Sequence, residues 1–414
     1  MKKFAFIAAC VALCLVVVSC GGGQSESATK VVYWSMWSES EPQAIIIKDA
    51  AKSFEEETGI AIQIEFKGRN GIREGLEPAL ESGQTIDLFD EAIDRVVLTW
   101  GPYLLDIEDM AGDYVVNHAN AGLVAAGRDY DTQGRLLVVP YQATTWVWWY
   151  NKDLFAKAGI TSVPTTWAEF EAVCQKLVNA GITPITMDDA YATKNLGMHL
   201  SRYIGQDNIL DLVNGTGTIK WNDPQVVAAL KSFEEFAAKG YFSSFVATNV
   251  FPAGQNTEFG LGEVAMNANG AWLPNEIKGI TGDNFNWGCF AYPTVPNGAE
   301  PITTNYLGCQ AFGVNVNSKV PQEALDFAIY VSTGERDLAM SAAALTIPAD
   351  SQNTEWPVQL AELREAFNST TEGTLWASGI EMNTDLTPVI KDNTIKLMSG
   401  QITADQFVQI LLNS

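Results

Sequence analysis

A run of aromatic residues that leads into a helix constrains the fold of this chain more than any other stretch. Residues 139–160 read VPYQATTWVWWYNKDLFAKAGI, in which Trp146 and Trp148 stand at the alternating spacing of a β-strand. Asn151 or Asp153 could cap the helix that follows. A buried strand is the plainest interpretation of any single ring. Three indoles within four residues are nevertheless hard to bury together, and rings that face a cleft often bind flat ligands, so Trp146 is a candidate binding residue.

Length and charge narrow both the fold and the partners. At 414 residues the chain is too long for one ordinary core and fits two lobes. It carries 25 Lys and Arg against 49 Asp and Glu, which gives a net charge of −24. Nucleic acid and anionic bilayer surfaces would be repelled by such a protein. We therefore expect no nucleic-acid partner.

The N-terminus has the pattern of a bacterial export signal. A basic start, MKK, precedes an apolar run over residues 4–18, which is too short to span a membrane comfortably and has the length of a signal peptide. The following LVVVSCG resembles a lipobox, whose cysteine, here Cys20, becomes the lipidated first residue of the mature protein. We expect a signal peptide at 1–19 and a lipidated cysteine with a flexible tether at 20–30, anchored outside the cytoplasmic membrane. Cleavage at another small residue is the alternative.

Cysteine and histidine usage argues against metal and thiol chemistry. Beyond the signal and Cys20, only Cys174, Cys289 and Cys309 remain, no C-x-x-C motif occurs, and the two histidines stand alone. Cys289 and Cys309 could form a disulfide in an oxidising compartment or remain buried thiols. We expect neither a metal nor a cofactor.

The first folded segment predicts parallel strands and a loop at their carboxyl ends. A strand at 31–34, a helical stretch from Pro42 to Gly59 and an alternating strand at 60–66 form a β-α-β unit. In open α/β sheets, ligands lie beyond the carboxyl ends of the strands. The loop after the first strand could bind a ligand, or it could cap the core and face solvent. Its candidate residues are Trp37, Ser38 and Glu39.

A second strand leads into acidic residues over 85–95, TIDLFDEAIDR. Carboxylates suit sugars, because each can accept hydrogen bonds from two adjacent hydroxyls. Asp90, Asp94 and Arg95 are therefore candidates, although Asp94 and Arg95 could instead form a surface ion pair of little energy.

Two further segments supply candidates from later in the chain. Residues 140–145 are a natural crossing between the lobes, which makes Gln142 a candidate ligand contact. The extended segment at 183–189 ends in acidic residues, of which Asp188 is the candidate at the rim of the cleft.

The stretch FGLGEVAMNANGAWLP at 259–274 gives the strongest single candidate. Its EVAMN portion predicts a short strand, and Gly270 would let the backbone turn so that Trp272 projects beyond the strand. An indole in that position is a good stacking platform for the C–H face of a sugar.

These stretches resemble the extracellular sugar-binding proteins of ABC transporters, the maltose-binding-protein-like family. The pattern P-x(9)-Y-N-K-D-L-F-x-K-A-G-I, followed by P-x-T-W-x-E-F, resembles the middle of its members. Their pattern F-x-x-G-x-x-A-M-x-x-x-G-x-W is met at every fixed position of residues 259–272. The resemblance extends from about Val31 to the C-terminus. Thr144 departs from it, because maltose-binding members carry a contact Glu there, and this leaves the identity of the sugar open.

The resemblance also bears on individual positions. Asp94 and Arg95 fall on a sugar-contacting Asp-Arg pair, and Tyr306 falls in the segment that returns the chain to the first lobe. Trp376 lies upstream of the closing helices, near which members place another stacking aromatic residue.

The resemblance implies a two-lobe α/β fold of the periplasmic-binding-protein type, each lobe a mainly parallel sheet flanked by helices, with the ligand cleft between the lobes. One lobe would comprise 31–140 plus 292–334, and the other 141–291 plus 335–414. It implies a monomeric, non-enzymatic receptor that captures a sugar or oligosaccharide and delivers it to the permease subunits by closing.

A secreted glycoside hydrolase is the competing interpretation, since an acidic pair such as Glu39 with Asp94 beside aromatic rings also describes such a site. The chain contains no G-x-S-x-G, H-E-x-x-H or phosphate-loop motif.

Overall fold

The computed structural model describes residues 29–282 and 284–414, in which nine strands join into one sheet. The predicted signal peptide and Cys20 lie outside the described residues. The strands are β1 Lys30–Ser35, β2 Ala61–Phe66, β3 Leu88–Ala92, β4 Val139–Asn151, β5 Thr183–Thr186, β6 Val264–Gly270, β7 Trp287–Phe290, β8 Thr304–Val314 and β9 Glu372–Thr374.

Helices surround this sheet. The α-helices are α1 Pro42–Thr58, α2 Gly68–Glu81, α3 Ile93–Trp100, α4 Tyr114–Asn117, α5 Ala121–Asp129, α6 Lys152–Lys157, α7 Trp167–Asn179, α8 Ala192–Ile204, α9 Gln206–Asn214, α10 Pro224–Ala238, α11 Ala253–Gly260, α12 Leu273–Glu276, α13 Lys278–Thr281, α14 Pro321–Ser332, α15 Gly334–Ala344, α16 Ala361–Asn368, α17 Thr387–Met398 and α18 Ala404–Leu412. Short 3₁₀ turns occupy Gly101–Tyr103, Val358–Leu360 and Trp376–Met382. In the described part of the chain, no helix is both long enough and apolar enough to cross a membrane.

Local sequence signals set several of these helix ends. Helix α1 begins at Pro42, whose ring suits the first helical position, and ends before Gly59, which has a φ of 75°. Asn151 caps α6, because its side chain accepts hydrogen bonds from the backbone N–H groups of the first turn. Thr166 and Glu169 form the predicted capping box of α7.

The strand order β2-β1-β3-β8-β4-β6-β5 joins two halves through β8 and β4. Strand β1 runs parallel to β2 and β3, as the β-α-β pattern predicts, and β5 runs parallel to β6. Strands β8 and β4 run antiparallel to each other and to their outer neighbours β3 and β6. These two strands are the crossings between the halves.

Strand β4 belongs to both halves along its length. Residues 139–145 pair with β8, whereas 146–151 pair with β6 and β7. All of its residues are buried, because helices and loops cover both faces of the sheet. The aromatic run therefore begins where the chain enters the second half.

Two hydrophobic cores follow this division in part. One is centred on β1, β3, α1 and α14 and extends into the second half through Val147, Trp149 and Cys289, and the other is centred on α7, α8, α10 and α17. The mixed α/β architecture with two lobes agrees with the predicted fold class. The three cysteines that the structure describes, Cys174, Cys289 and Cys309, are buried free thiols, so Cys289 and Cys309 are not joined.

The packing departs from the predicted lobe limits at two places. Residues 292–303, which were predicted for the first lobe, lie on the second, since Tyr292 and Val295 belong to the second core. The sequence-based limits placed residues 335–414 in the second lobe. Helix α15 instead packs on the first core through Met340, and Arg336 lies 3.1 Å from Glu57 of α1. Its apolar face is complementary to α1 and α14, so the chain returns to the second lobe only after α15.

Candidate functional site

A cleft of about 730 Å³ lies between the two lobes. Its floor is formed by the two crossing strands, and its walls come from opposite lobes. The lining residues used in the argument are Gln142 and Gln310 on the floor, Trp37, Arg69 and Arg73 on the wall of the first lobe, and Tyr191, Trp272 and Glu276 on the wall of the second. Another cavity, of about 410 Å³, lies in the second lobe beside Trp149 and Trp287, and none of the predicted site residues lines it. The interlobe cleft is therefore the candidate site.

The floor presents two glutamine side chains. Strand β4 has a bulge between Tyr141 and Ala143, and Gln142 at the bulge has a φ of 47°, in the left-handed region that a non-glycine residue rarely adopts. Gln310 of β8 lies opposite Tyr141. The Oε1 atoms of both glutamines are buried and have no donor among the described residues. Backbone strain at such a position is typical of functional sites, and the structure places Gln142 in the lining of the cleft.

Trp37 lies in the cleft wall, but its ring is covered. Its side chain is 2% exposed, and its Nε1 donates to the hydroxyl of Tyr141 at 2.8 Å. The Arg69 guanidinium sits 4.7 Å from the ring centre and pairs with Glu41 at 2.9 Å. In this conformation a guanidinium, rather than a sugar, therefore occupies the face that was predicted to stack on the ligand.

Ser38 and Glu39 do not line the cleft. The backbone N–H of Ser38 donates to Glu41 at 2.7 Å, which orders the start of α1. Glu39 is 75% exposed and pairs with Lys48, beside a separate surface depression next to Phe66. The loop turns Glu39 towards solvent because Glu41, rather than Glu39, reaches Arg69.

Asp90 lies beneath the cleft. It is fully buried and accepts hydrogen bonds from the Tyr33 hydroxyl at 2.8 Å, from the Met36 N–H at 3.0 Å and from the Tyr141 hydroxyl. Burial raises the pKa of Asp90 to about 6, while these hydrogen bonds oppose the shift. Asp90 thus fixes Tyr141, which in turn holds Trp37, and it is a positioning residue in this structure.

Arg95 makes a different ion pair from the one predicted. It lies 2.7 Å from Glu91, and Arg73 reaches the same carboxylate at 3.0 Å. Glu91 is 1% exposed, so its charge is held between two guanidinium groups at the cleft wall. Asp94 is half-buried, and burial raises its pKa despite the neighbouring Arg95.

Sequence reasoning missed Arg69 and Arg73. They stand four residues apart in the first turns of α2, directly after β2, so both project from one helix face at the carboxyl edge of the sheet. That spacing after a predicted strand is the signal that could have identified them.

Trp272 lies in the cleft wall that the second lobe forms, beyond the end of a strand as predicted. It follows β6, is half-buried, and its buried Nε1 has no acceptor in the described ranges. The ring lies against Gly270, where a Cβ atom would be 2.3 Å from a ring carbon. Gly270 is therefore required by the close approach of the indole, not by a backbone turn with positive φ.

Aromatic rings continue inwards from Trp272. The ring centres of Trp146, Tyr191 and Trp376 lie 6.1, 6.3 and 6.5 Å from that of Trp272. Trp146 is fully buried inside this group, whereas Trp376 is half-buried. Tyr306 packs edge-on against Trp376 at 5.4 Å and is itself buried. The structure thus brings four predicted residues together and leaves Trp272 and Trp376 as the more accessible rings.

Two carboxyl groups with raised pKa values stand at this wall. Asp188 is buried; its Oδ1 accepts from the N–H groups of Ala190 and Tyr191, and its Oδ2 has no donor in the described part. Burial raises the pKa of Asp188 to about 7. Glu276 lines the cleft, accepts from Asn256 at 3.0 Å, and has a pKa raised to about 7 by desolvation. Asp188 holds the turn that carries Tyr191, and Glu276 was not predicted.

Comparisons with known proteins agree with this geometry. The family model for bacterial extracellular solute-binding proteins matches residues 37–335. A putative binding protein of Brucella abortus (strain 2308) is 28% identical over 205 residues, which are 47% of this chain and 46% of that relative. The chain therefore matches about half the length of that relative.

Two other proteins match more of the chain. The galactooligosaccharide-binding protein of Bacillus subtilis (strain 168) is 22% identical over 370 residues, 84% of this chain and 80% of that protein. The solved structure of a chitin oligosaccharide binding protein superposes with a TM-score of 0.73 at 18% identity, covering 93% of this chain and 98% of its own. This likeness shows a shared fold.

Proposed function

Because this chain belongs to the bacterial extracellular solute-binding proteins, we propose that it captures a sugar or oligosaccharide between its lobes and delivers it to the permease of an ABC importer. The observation that carries the proposal is the cleft of about 730 Å³, in which an indole, paired charges and unpartnered amide oxygens converge from both lobes. A few directed polar groups beside aromatic rings are the usual lining of a small-molecule site. The galactooligosaccharide and chitin oligosaccharide named for two of the similar proteins support a sugar as the ligand.

The side chains match the two kinds of surface that a sugar presents. Trp272 offers a flat apolar face to pyranose C–H groups. The Oε1 atoms of Gln142 and Gln310 accept from hydroxyls, and the guanidinium of Arg73 has a donor left beyond its bonds to Glu91. Each sugar hydroxyl both donates and accepts, so this mixture suits a neutral polyol ring.

Closure would transmit binding to the permease. A ligand that contacts both walls favours the closed arrangement by its greater affinity for that state. The crossings β4 and β8, with the third crossing after α15, are the segments about which the lobes would rotate. The proposed lobe limits are those predicted from sequence, amended for residues 292–303 and for α15.

The cell-envelope part of the proposal rests on the sequence. Cys20 would carry the lipid anchor, residues 20–30 would act as a tether, and the protein would work as a monomer on the outer side of the cytoplasmic membrane. Labelling cells with a fatty-acid analogue tests this, since a Cys20→Ser variant should lose the label and be released from the membrane.

A glycoside hydrolase is not favoured. Glu39, one half of the acidic pair considered for hydrolysis, lies outside the cleft. Of the three described carboxyl groups that line the cleft, Glu41 and Glu91 are held in ion pairs with arginines, which leaves Glu276 without a second free carboxylate in that lining. The family match is to binding proteins.

The test is a ligand panel on the purified protein: maltotriose, galactotriose, xylotriose, raffinose and chitotriose. Tryptophan fluorescence and the melting temperature report binding, because a ligand that binds only the folded state raises the melting temperature. We expect at least one sugar to bind at micromolar affinity and to be recovered unchanged by mass spectrometry. Shortened products would make the protein a hydrolase, and no response to any sugar would contradict the proposal.

A further inference from the structure

Lys194 is a buried cation that lacks a hydrogen-bond acceptor. It lies in the first turn of α8, its side chain is 0% exposed, and its Nζ donates to no atom of residues 29–282 and 284–414. Three rings surround it: Nζ lies 3.8 Å from the ring centre of Tyr306, 4.9 Å from that of Trp376 and 5.6 Å from that of Trp146. Ring faces attract an ammonium group, but they do not replace the hydrogen bonds that it loses on leaving water.

The nearest carboxylates do not supply the missing acceptor. Glu381 accepts from the Thr193 hydroxyl at 2.6 Å, and Asp94 belongs to the first lobe. Both act electrostatically to raise the pKa of Lys194, yet burial lowers it well below its ordinary value. Neither carboxylate forms a hydrogen bond with Nζ in this conformation.

Arg202, about two turns further along α8, shows how the same lobe accommodates a structural cation. It is also 0% exposed, but its guanidinium donates to three backbone carbonyl groups, those of Tyr292, Pro301 and Thr304. The fold therefore supplies this structural cation with three acceptors and leaves only its Nε without one among the described residues. Lys194 Nζ has no acceptor there, and this difference points to an acceptor from outside the chain.

The rings around Lys194 are continuous with the candidate sugar platform. Trp146 and Trp376 lie 6.1 and 6.5 Å from Trp272, and the planes of Trp272 and Trp376 are tilted by only 30°. A pyranose stacked on Trp272 and Trp376 would therefore be placed beside the ammonium group. Admitting it requires the segment Trp376–Met382, which packs on the second core, to move away from Trp272.

We propose that Lys194 is a ligand-binding residue at the inner end of the cleft, where its ammonium group donates to an oxygen of a pyranose seated on Trp272 and Trp376. The inference rests on sugar capture as the proposed function. It adds a selection rule, because a ligand without an acceptor at that position would leave a buried cation unpartnered.

Lys194→Met tests the inference, since Met keeps the length of the apolar stem and removes the ammonium group. Calorimetric titration with the five sugars of the panel should give a dissociation constant at least tenfold higher than that of the wild type. The melting temperature of the free variant should be unchanged or higher, because no hydrogen bond is lost. Lys396→Met, which removes an exposed lysine paired with Asp392, should change neither quantity.

Two further measurements separate ligand contact from a structural role. Arg202→Met should lower the melting temperature, in contrast to Lys194→Met. We expect one monodeoxy analogue of the bound sugar, the one that lacks the acceptor for Lys194, to bind the wild type more weakly than the parent sugar does. The Lys194→Met variant should bind this analogue and the parent sugar with equal affinity.

The outcomes are distinguishable. If the wild type binds none of the five sugars, the proposed function fails and this inference fails with it. If the wild type binds a sugar and both Lys194→Met and Lys194→Leu bind it equally well, only the role of Lys194 is overturned. The Leu variant, which also lacks a donor, provides the same answer if the Met variant does not fold.

Discussion

The two walls of the cleft differ in how far their charged and indole groups are already paired, although Gln43 Oε1 on the first wall also has no donor among the described residues. On the first lobe, Arg69 pairs with Glu41, and Arg73 and Arg95 both pair with Glu91. On the second lobe, Trp272 Nε1 and Lys194 Nζ have no partner among the described residues. A ligand gains little from a wall whose charges are paired, because each new hydrogen bond competes with an existing one. We therefore expect the second wall and its inner end to contribute most of the affinity.

The largest expected effect is that of Trp272→Ala. Removal of a central aromatic contact should weaken binding by about 2 kcal/mol, roughly thirtyfold in the dissociation constant. Calorimetry with the best sugar of the panel measures it. Trp356→Ala, which removes another half-buried indole far from the cleft, is the control; an equal loss in both variants would show that the effect is not specific to the site.

Gly270→Ala should weaken binding by about tenfold through the same ring, because the added methyl group would displace the indole of Trp272. The melting temperature should fall as well. Gly75→Ala in α2 is the matched control: its Cβ would meet nothing within 4 Å, so helix propensity should stabilise that variant, by about 1 kcal/mol at most. Unaltered affinity in Gly270→Ala would mean that the position of Trp272 does not matter.

Asp188→Asn should make stability less dependent on pH. The folded-state pKa of Asp188, about 7, lies above that of an unfolded aspartate, so this group favours folding fully only at low pH and loses that contribution as pH rises towards 7. The melting temperature of the variant, relative to wild type, should therefore be higher at pH 8 than at pH 5, by a few degrees. A pH-independent difference would contradict the burial of this carboxyl group, whose Oδ2 has no donor among the described residues.

The smallest effect should come from Arg69→Ala. The ion pair with Glu41 is partly exposed and worth at most about 1 kcal/mol, so the dissociation constant should change by less than about fivefold. Loss of the guanidinium also uncovers one face of Trp37. A change as large as that in Trp272→Ala would reverse the ranking of the two walls.

Much of the fold could be predicted from sequence because the motifs that define its helix ends and strands are local. Pro42, Gly59 and the Thr166–Glu169 capping box define helix ends by chemistry within one turn. The alternation through Trp146 and Trp148 predicted β4. Placement of α15 was not accessible, since its apolar face fits either lobe and only contacts with α1, distant in sequence, decide between them.

The site was predictable to the extent that it follows strand ends. Trp272 was identified in this way and Gln142 from the predicted crossing between the lobes, whereas Glu39 follows a strand and yet turns to solvent. Whether a charge faces a ligand or an ion-pair partner depends on residues far apart in sequence, as with Arg73 and Glu91. Lys194 gave no signal, because a lysine near a helix start is ordinarily exposed.

Hydrogen–deuterium exchange with and without the tightest-binding sugar tests the central claim most directly. Capture between the lobes predicts that the sugar slows exchange on both walls, in residues 36–43 and 69–73 of the first lobe and in 251–257 and 272–280 of the second. Slower exchange confined to one lobe, or to the residues around Trp149 and Trp287 outside the cleft, would contradict capture between the lobes.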